Sequence, residues 1–245
     1  MGFTFKQFHI EQDECAMKVG TDGVLLGSWA TGGKHILDIG TGTGLIALML
    51  AQRFSSSHID AIEIDTRAVM QAKRNVESSP FAEQITVKHC SLQNYSEKQG
   101  LYDAIVCNPP YFENSMKNRN ENKTIARHTD TLPFNVLIKS AYKLLSSSGL
   151  FSLILPIDSY HIIEPEAISN GFSVLKKIFI QTTPYKHPKR VLIELGKIPS
   201  EYYSTTECLQ DCNGKKSEWY RELTDEFYLN DVHLATYENR FFLQY

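Results

Sequence analysis

The sequence has no stretch approaching ~20 uninterrupted apolar residues, the length a helix needs to cross a bilayer. Its N-terminus also lacks the basic, apolar and small-residue order of a signal peptide, so the expectation is a cytoplasmic protein without a membrane partner. Cysteine is scarce and odd in number, five residues at 15, 90, 107, 208 and 212, two of them on predicted strand ends, which suits reduced thiols in a reducing compartment. Cys208-x-x-x-Cys212 has no neighbouring histidine or second cysteine pair, so no metal is expected. There is no internal repeat, no low-complexity run, and no excess of positive charge. The formal net charge is −3, so a nucleic-acid substrate would have to be held by local basicity. What the chain does have is 245 residues with 42% hydrophobic content, enough for a full core, and no composition shift that would mark a second folding unit.

The most informative stretch is Asn108-Pro109-Pro110-Tyr111, which follows the short apolar run Asp103-Ala-Ile-Val-Cys107. That order reads as a buried strand ending in a rigid turn, the place where an open α/β sheet carries its chemistry. Two prolines fix φ and remove two N–H donors, so the neighbouring carbonyls are held without local competition. The Asn108 amide oxygen and the Pro109 carbonyl can together accept both hydrogens of one amino group. Two acceptors favour the rehybridised nitrogen that can attack a methyl donor. Tyr111 would stack on the planar group carrying that nitrogen.

The second feature is His35-Ile-Leu-Asp38-Ile-Gly40-Thr-Gly42-Thr-Gly44, followed by the apolar run to Arg53: strand, glycine turn, helix. Glycines let backbone approach a ligand closely, and the helix N-terminus adds free N–H groups and a positive dipole end. Gly42-x-Gly44-x-x-Ala47 with Glu63 about 20 residues on also fits a dinucleotide fingerprint, so this motif alone does not separate NAD from S-adenosylmethionine. Two details favour the methyl donor: Asp38 lies inside the strand before the glycines, and Asn108-Pro-Pro-Tyr111 follows a later strand. Asp38 would orient the turn or meet the donor's cationic amino group. His58 to Asp65 reads as the second strand, with Glu63 near its carboxyl end, able to accept from both ribose hydroxyls. Thr66 to Val76 repeats at helical spacing, with Asp65 or Thr66 as cap. Ile85 to Cys90 reads as a third strand, and Ser91 or Gln93 in the following loop could meet an adenine.

Farther along, Pro133 to Ser147 has helical spacing, with Ser146 to Gly149 as its stop, and Leu150 to Leu155 reads as a buried strand. A helix from Asp158 to Ser169 leads into two β-rich runs, Phe172 to Thr183 and Arg190 to Gly196, expected to pair as a hairpin. Beyond Pro199 the pattern weakens, and Tyr202, Tyr203, Trp219, Tyr220, Phe227 and Tyr228 are expected to pack on the sheet. Basic residues gather at Lys117-Asn-Arg119, Lys123, Arg127-His128, Lys176-Lys177 and Lys186-His-Pro-Lys-Arg190.

Asp38-Ile-Gly-Thr-Gly-Thr-Gly44, Glu63 and Asn108-Pro-Pro-Tyr111 resemble the class I S-adenosylmethionine-dependent methyltransferases that act on amino nitrogens. Phe3-Thr-Phe-Lys-Gln-Phe8 and the run from Cys15 to Trp29 narrow this further. So do Ala126-Arg127-His128, the Leu144 to Gly149 helix end, and Pro184 with Lys189-Arg190-Val191. Together they resemble the bacterial tRNA (adenine-N6)-methyltransferases that modify valine tRNA beside its anticodon. The resemblance implies an α/β Rossmann-like fold, a doubly wound, mostly parallel seven-stranded sheet with an antiparallel last strand. It implies a lead segment over residues 1–34 that covers the cofactor site, a core over 35–199 and an extension over 200–245 packed on it, one domain overall. S-adenosyl-L-methionine is the implied cofactor, held by Lys18, Thr21, Asp22, Asp38, Gly40, Gly42, Gly44, Glu63, Ser91 and Asn108. Asn108, Pro109 and Tyr111 are the implied catalytic residues. The implied partner is tRNA, contacted by Pro110, Lys117, Arg119, Arg127, His128, Lys189 and Arg190, with no metal and no obligate protein partner. The polar stretch Glu113 to Thr131 is expected to be disordered without tRNA. One departure stands out: Cys90-Ser-Leu-Gln93 has no acid to bind adenine. A protein glutamine-amide methyltransferase shares Asn-Pro-Pro-Tyr but carries a separate helical recognition domain, for which the ~30 residues before the first strand are too few. An NAD-dependent oxidoreductase would leave Asn-Pro-Pro-Tyr unexplained, and a non-catalytic tRNA-binding protein is a further alternative.

Overall fold

Alternating apolar runs build one twisted sheet in the computed structural model, which describes residues 2–15, 18–95, 99–109 and 132–229. After a two-stranded antiparallel lead, β1 (Phe3–Thr4) and β2 (His9–Ile10), come α1 (Thr21–Trp29), β3 (His35–Ile39), α2 (Leu45–Arg53), β4 (His58–Glu63), α3 (Thr66–Glu77) and β5 (Ile85–His89). Then follow a single 3₁₀ turn (Leu92–Asn94), β6 (Tyr102–Cys107), α4 (Phe134–Leu144), β7 (Leu145–Pro156), α5 (Ile157–Ser169), β8 (Ser173–Gln181), β9 (Arg190–Gly196), β10 (Tyr203–Cys208) and α6 (Glu218–Thr224).

The sheet order is β10-β8-β9-β7-β6-β3-β4-β5. Strands β3 to β9 form the expected seven, and the last of them, β9, runs antiparallel to both β7 and β8. The runs expected to form a hairpin do so. An eighth strand, β10, lies parallel to β8 at the edge, where the sequence showed only a weakening pattern. Its residues Tyr203-Ser-Thr-Thr-Glu-Cys208 are largely polar and lack the apolar signature of a central strand.

Period-two alternation divides the core. Ile36, Ala104, Val106 and Ile154 face α1, α2 and the lead residues Phe5, Phe8 and Ile10. Leu37, Ile39, Ile105, Leu153 and Leu155 face Leu137, Ile138 and Ala141 of α4 and Ile163 of α5. Each fully buried side chain of this size is worth roughly 1.5–3 kcal/mol, so both faces are needed to hold the sheet.

Two local expectations are corrected. Ser146 to Gly149 is not a helix stop outside the sheet: β7 begins at Leu145, directly after α4, because Leu145 already pairs with Tyr102 before the register shifts to Ala104 and Leu150. Strand pairing outweighs the stop signal of three serines and a glycine. Tyr202 and Tyr203 meet the sheet only at its edge and stay 51% and 53% exposed, Tyr203 opening β10 and the Tyr202 ring lying 5.1 Å from Lys177 Nζ of β8, while Tyr220 and Phe227 are buried as expected. No helix among the described residues is long and apolar enough to cross a membrane.

Candidate active site

The carboxyl ends of β3, β4, β5 and β6 lie side by side. Ile39 pairs with both Ile62 and Cys107, and Glu63 pairs with His89. This register brings Gly40, Glu63, Ser91 and Asn108 to one edge of the sheet, each just beyond or at the end of its strand.

Three glycines with positive φ, Gly40 at 72°, Gly42 at 57° and Gly44 at 84°, make the turn between β3 and α2. Side chains are strained in that region of backbone space, so glycine is required there. The turn is bound to β4 through Gly40 N–H and Thr41 N–H, which donate to the Ile62 carbonyl at 2.9 and 3.1 Å. Glu63 completes the frame: Oε2 accepts from Gly42 N–H at 2.9 Å, and Oε1 accepts from the amides of Ile64 and Asp65 at 2.7 and 3.0 Å. Asp65 in turn caps α3, its Oδ1 accepting from Arg67 and Ala68. A Cβ built on Gly40 or Gly42 would meet nothing within 4 Å, so open space lies over the turn.

Asp38 is fully buried under the turn, and its Oδ2 accepts from the Thr41 hydroxyl at 2.6 Å. Its Oδ1 has no hydrogen-bond partner among the described residues. Burial pushes its pKa up to about 7, against the opposing Thr41 hydrogen bond, and the charge of Glu63 adds to the rise. Cys107, just before Asn108, is also buried, and burial beside the charges of Asp38 and Glu63 raises its thiol well above the usual range, leaving it inert.

The lead segment reaches this edge. Burial and the nearby carboxylates of Glu63, Asp65 and Glu14 push the Cys15 thiol up to about 11. The link that sequence reasoning missed is Asn75, buried on α3. Its Nδ2 donates to the carbonyls of Glu11 at 2.9 Å and Thr43 at 2.8 Å, and its Oδ1 accepts from Glu11 N–H at 3.0 Å. One amide thus joins the lead to the glycine turn. The signal was present: residues 71 and 75 share the inward helical face with Ala68, Ala72 and Val76, so a polar side chain there had to find buried partners.

Of the other expected donor contacts, Lys18 is exposed, Thr21 opens α1, and Asp22 is ion-paired with Arg190 at 2.8 Å. Ser91 caps the 3₁₀ turn, its Oγ accepting from Asn94 N–H at 3.3 Å. Asn108 is half-buried and Pro109 buried. Pro110, Tyr111, Lys117, Arg119, Arg127 and His128, with the whole expected loop Glu113 to Thr131, lie outside the described residues. Arg190, expected to contact tRNA, is held by Asp22, whereas Lys189 beside it is exposed. Lys176 and Lys177, counted among the basic clusters, are bound to Glu194 at 2.8 Å and Glu164 at 2.9 Å. Among the described residues no group of three or more histidines, cysteines or acids is placed to hold a metal ion.

The family model for a methyltransferase small domain matches residues 20–156. The tRNA1(Val) (adenine(37)-N6)-methyltransferase of Aliivibrio salmonicida is 46% identical over 232 residues, covering 94% of this chain and 98% of that one. The protein of the same name from Phocaeicola vulgatus is 44% identical over 93% of this chain and 97% of its own length, and that of Trichodesmium erythraeum 48% over 80% and 84%. Among solved structures, a predicted O-methyltransferase from Agrobacterium tumefaciens superposes with a TM-score of 0.68 at 18% identity, covering 84% of this chain and 96% of the other. P. horikoshii TYW2 in complex with MeSAdo gives 0.57 at 11% identity, covering 81% and 72%.

Proposed function

Because the chain belongs to the methyltransferase small-domain family and matches its tRNA1(Val)-modifying members over nearly their full length, we infer that it methylates N6 of an adenine in tRNA. The methyl group comes from S-adenosylmethionine, and the target is adenine 37, beside the anticodon of tRNA(Val). The structural observation that carries this reading is the position of Asn108-Pro109 at the end of β6, next to the glycine turn and Glu63 on the same sheet edge.

The residues present fit the donor. Open space over Gly40 and Gly42, a carboxylate fixed by three backbone amides, and an orphaned buried oxygen on Asp38 form a cradle for a cationic nucleoside. When bound, S-adenosylmethionine supplies an electrophilic methyl on a sulfonium whose charge is lost on transfer. In our reading Glu63 accepts from the ribose hydroxyls with its remaining lone pairs. Asp38 holds the turn through Thr41 and biases the site toward a cation. Residues 1–34 close over the donor, and Asn75 fixes where that cover meets the turn.

At the acceptor, the Asn108 side-chain oxygen and the Pro109 carbonyl receive the two N6 hydrogens, which orients the nitrogen lone pair along the line of attack. Tyr111 stacks on the adenine, which must leave its loop stack first; an anticodon-loop base is already partly unpaired, which lowers that cost. The proton lost from N6 passes to water. On this reading the enzyme works alongside its tRNA in the cytoplasm. Glutamine-amide methylation, which would use the same acceptors, is not favoured by relatives that match from end to end and bear a tRNA-modifying name.

The test is methyl transfer from labelled donor to unmodified tRNA, followed by nucleoside analysis. Wild-type protein should yield N6-methyladenosine, and Asn108→Ala should lower kcat by about 10²–10³-fold, the usual loss when a hydrogen-bonding group of the transition state is removed. Donor binding with no labelled tRNA would overturn the reading.

A further inference from the structure

Lys186 N–H donates to the Thr183 carbonyl at 3.1 Å, closing a turn with Pro184 at its second position and Tyr185 at its third. Tyr185 is 82% exposed, well beyond the other large exposed hydrophobic residues, which lie between 39% and 59%. The loop that bears it, residues 182–189 between β8 and β9, is rooted rather than loose. Lys189 N–H donates to the Ile180 carbonyl at 2.9 Å, and Ile157 N–H donates to the Lys189 carbonyl at 3.2 Å. Arg190, at the root, is pinned to Asp22 of α1. Pro184 and Pro188 fix two further φ angles, so little conformational entropy remains to be lost on binding.

The direction of this loop follows from topology. Strand β9 is antiparallel to both β7 and β8, so β8 runs parallel to β7 and ends on the same edge of the sheet as β6. Tyr185 is therefore presented on the rim that carries Asn108. Around it the side chains of Lys186, His187 and Lys189 are exposed, and none makes a hydrogen bond or ion pair with another described residue. Lys176, Lys177 and Arg190 are all held by carboxylates. A rigid aromatic tip flanked by free cations is the combination that binds single-stranded nucleic acid, with the ring stacking on a base and the cations meeting phosphates.

We propose that the β8–β9 loop docks the anticodon loop of the substrate tRNA, with Tyr185 stacking on an unpaired base near the target and Lys186 and Lys189 contacting its backbone. The proposal rests on the tRNA reading above and assigns the surface by which that substrate is held. Loss of the ring in Tyr185→Ala should raise KM for tRNA on the order of tenfold, with affinity for S-adenosylmethionine unchanged by direct titration. Tyr185→Phe, which keeps the ring, should stay within about twofold of wild type. The double variant Lys186→Gln/Lys189→Gln should flatten the dependence of log KM on log salt by roughly 0.7 for each phosphate that is no longer neutralised. An unchanged KM in Tyr185→Ala, an equal loss in Tyr185→Phe, or a fall in donor affinity would each overturn the docking assignment. If wild-type protein fails to methylate tRNA at all, it is the functional reading that falls instead.

Discussion

Asp38 carries a testable electrostatic signature. Its pKa in the folded protein is about 7, raised by burial above the ordinary 3.8. Between those values the folded chain keeps a proton that the unfolded chain releases, so this residue's contribution to stability is full below about pH 4 and is lost as pH rises toward 7. Melting temperature of the donor-free protein should fall over that window, and Asp38→Asn, whose amide oxygen can still accept from Thr41, should remove most of that slope. An equally steep profile in the variant would assign the titration elsewhere. At this scale the sequence marked Gly40, Gly42, Gly44, Glu63 and Asn108 because each follows or ends an apolar strand. It did not show that Lys176, Lys177 and Arg190 are neutralised. Their partners Glu194, Glu164 and Asp22 are distant in sequence or on another element, and only the sheet order brings them together.

At the scale of elements, the junction of lead segment, α3 and glycine turn rests on one side chain. Asn75→Ala would leave the Glu11 amide and the Thr43 carbonyl without their buried partner, at a cost of roughly 1–3 kcal/mol. Because the proposed arrangement puts that loss on the donor side of the site, KM for S-adenosylmethionine should rise more than KM for tRNA, and a melting curve should report the stability loss. Equal changes in both constants would mean that Asn75 supports the fold without favouring the donor site. The main elements were readable from apolar periodicity: β3 to β6, α2, α3 and the β8–β9 hairpin stand where the runs predicted them. The exceptions have physical causes. Strand β7 starts early because pairing with Tyr102 overrides a run of small polar residues. Strand β10 escaped because a polar edge strand is defined by its neighbour more than by its own composition.

For the whole molecule, a net charge of −3 is compatible with the proposed tRNA substrate because the unpaired cations among the described residues include a group at one rim, while others are internally paired. The lead and the last helix also share a core: Phe5 and Phe8 pack in one cluster with Tyr220 and Phe227, so the two ends of the described chain stabilise each other. Strand β10 has a different role, one that concerns self-association. By pairing with Lys176 to Gln181 it occupies the hydrogen-bonding edge of β8, whose residues Leu175, Ile178 and Ile180 are buried. A double variant Thr205→Pro/Thr206→Pro, which breaks the β10 pairing but keeps Tyr220 and Phe227 in the chain, would present that edge, bare and partly apolar, to every other copy in solution. Light scattering should find it forming concentration-dependent aggregates while the wild-type protein stays dispersed. The short polar strand thus acts as a guard against intermolecular sheet growth.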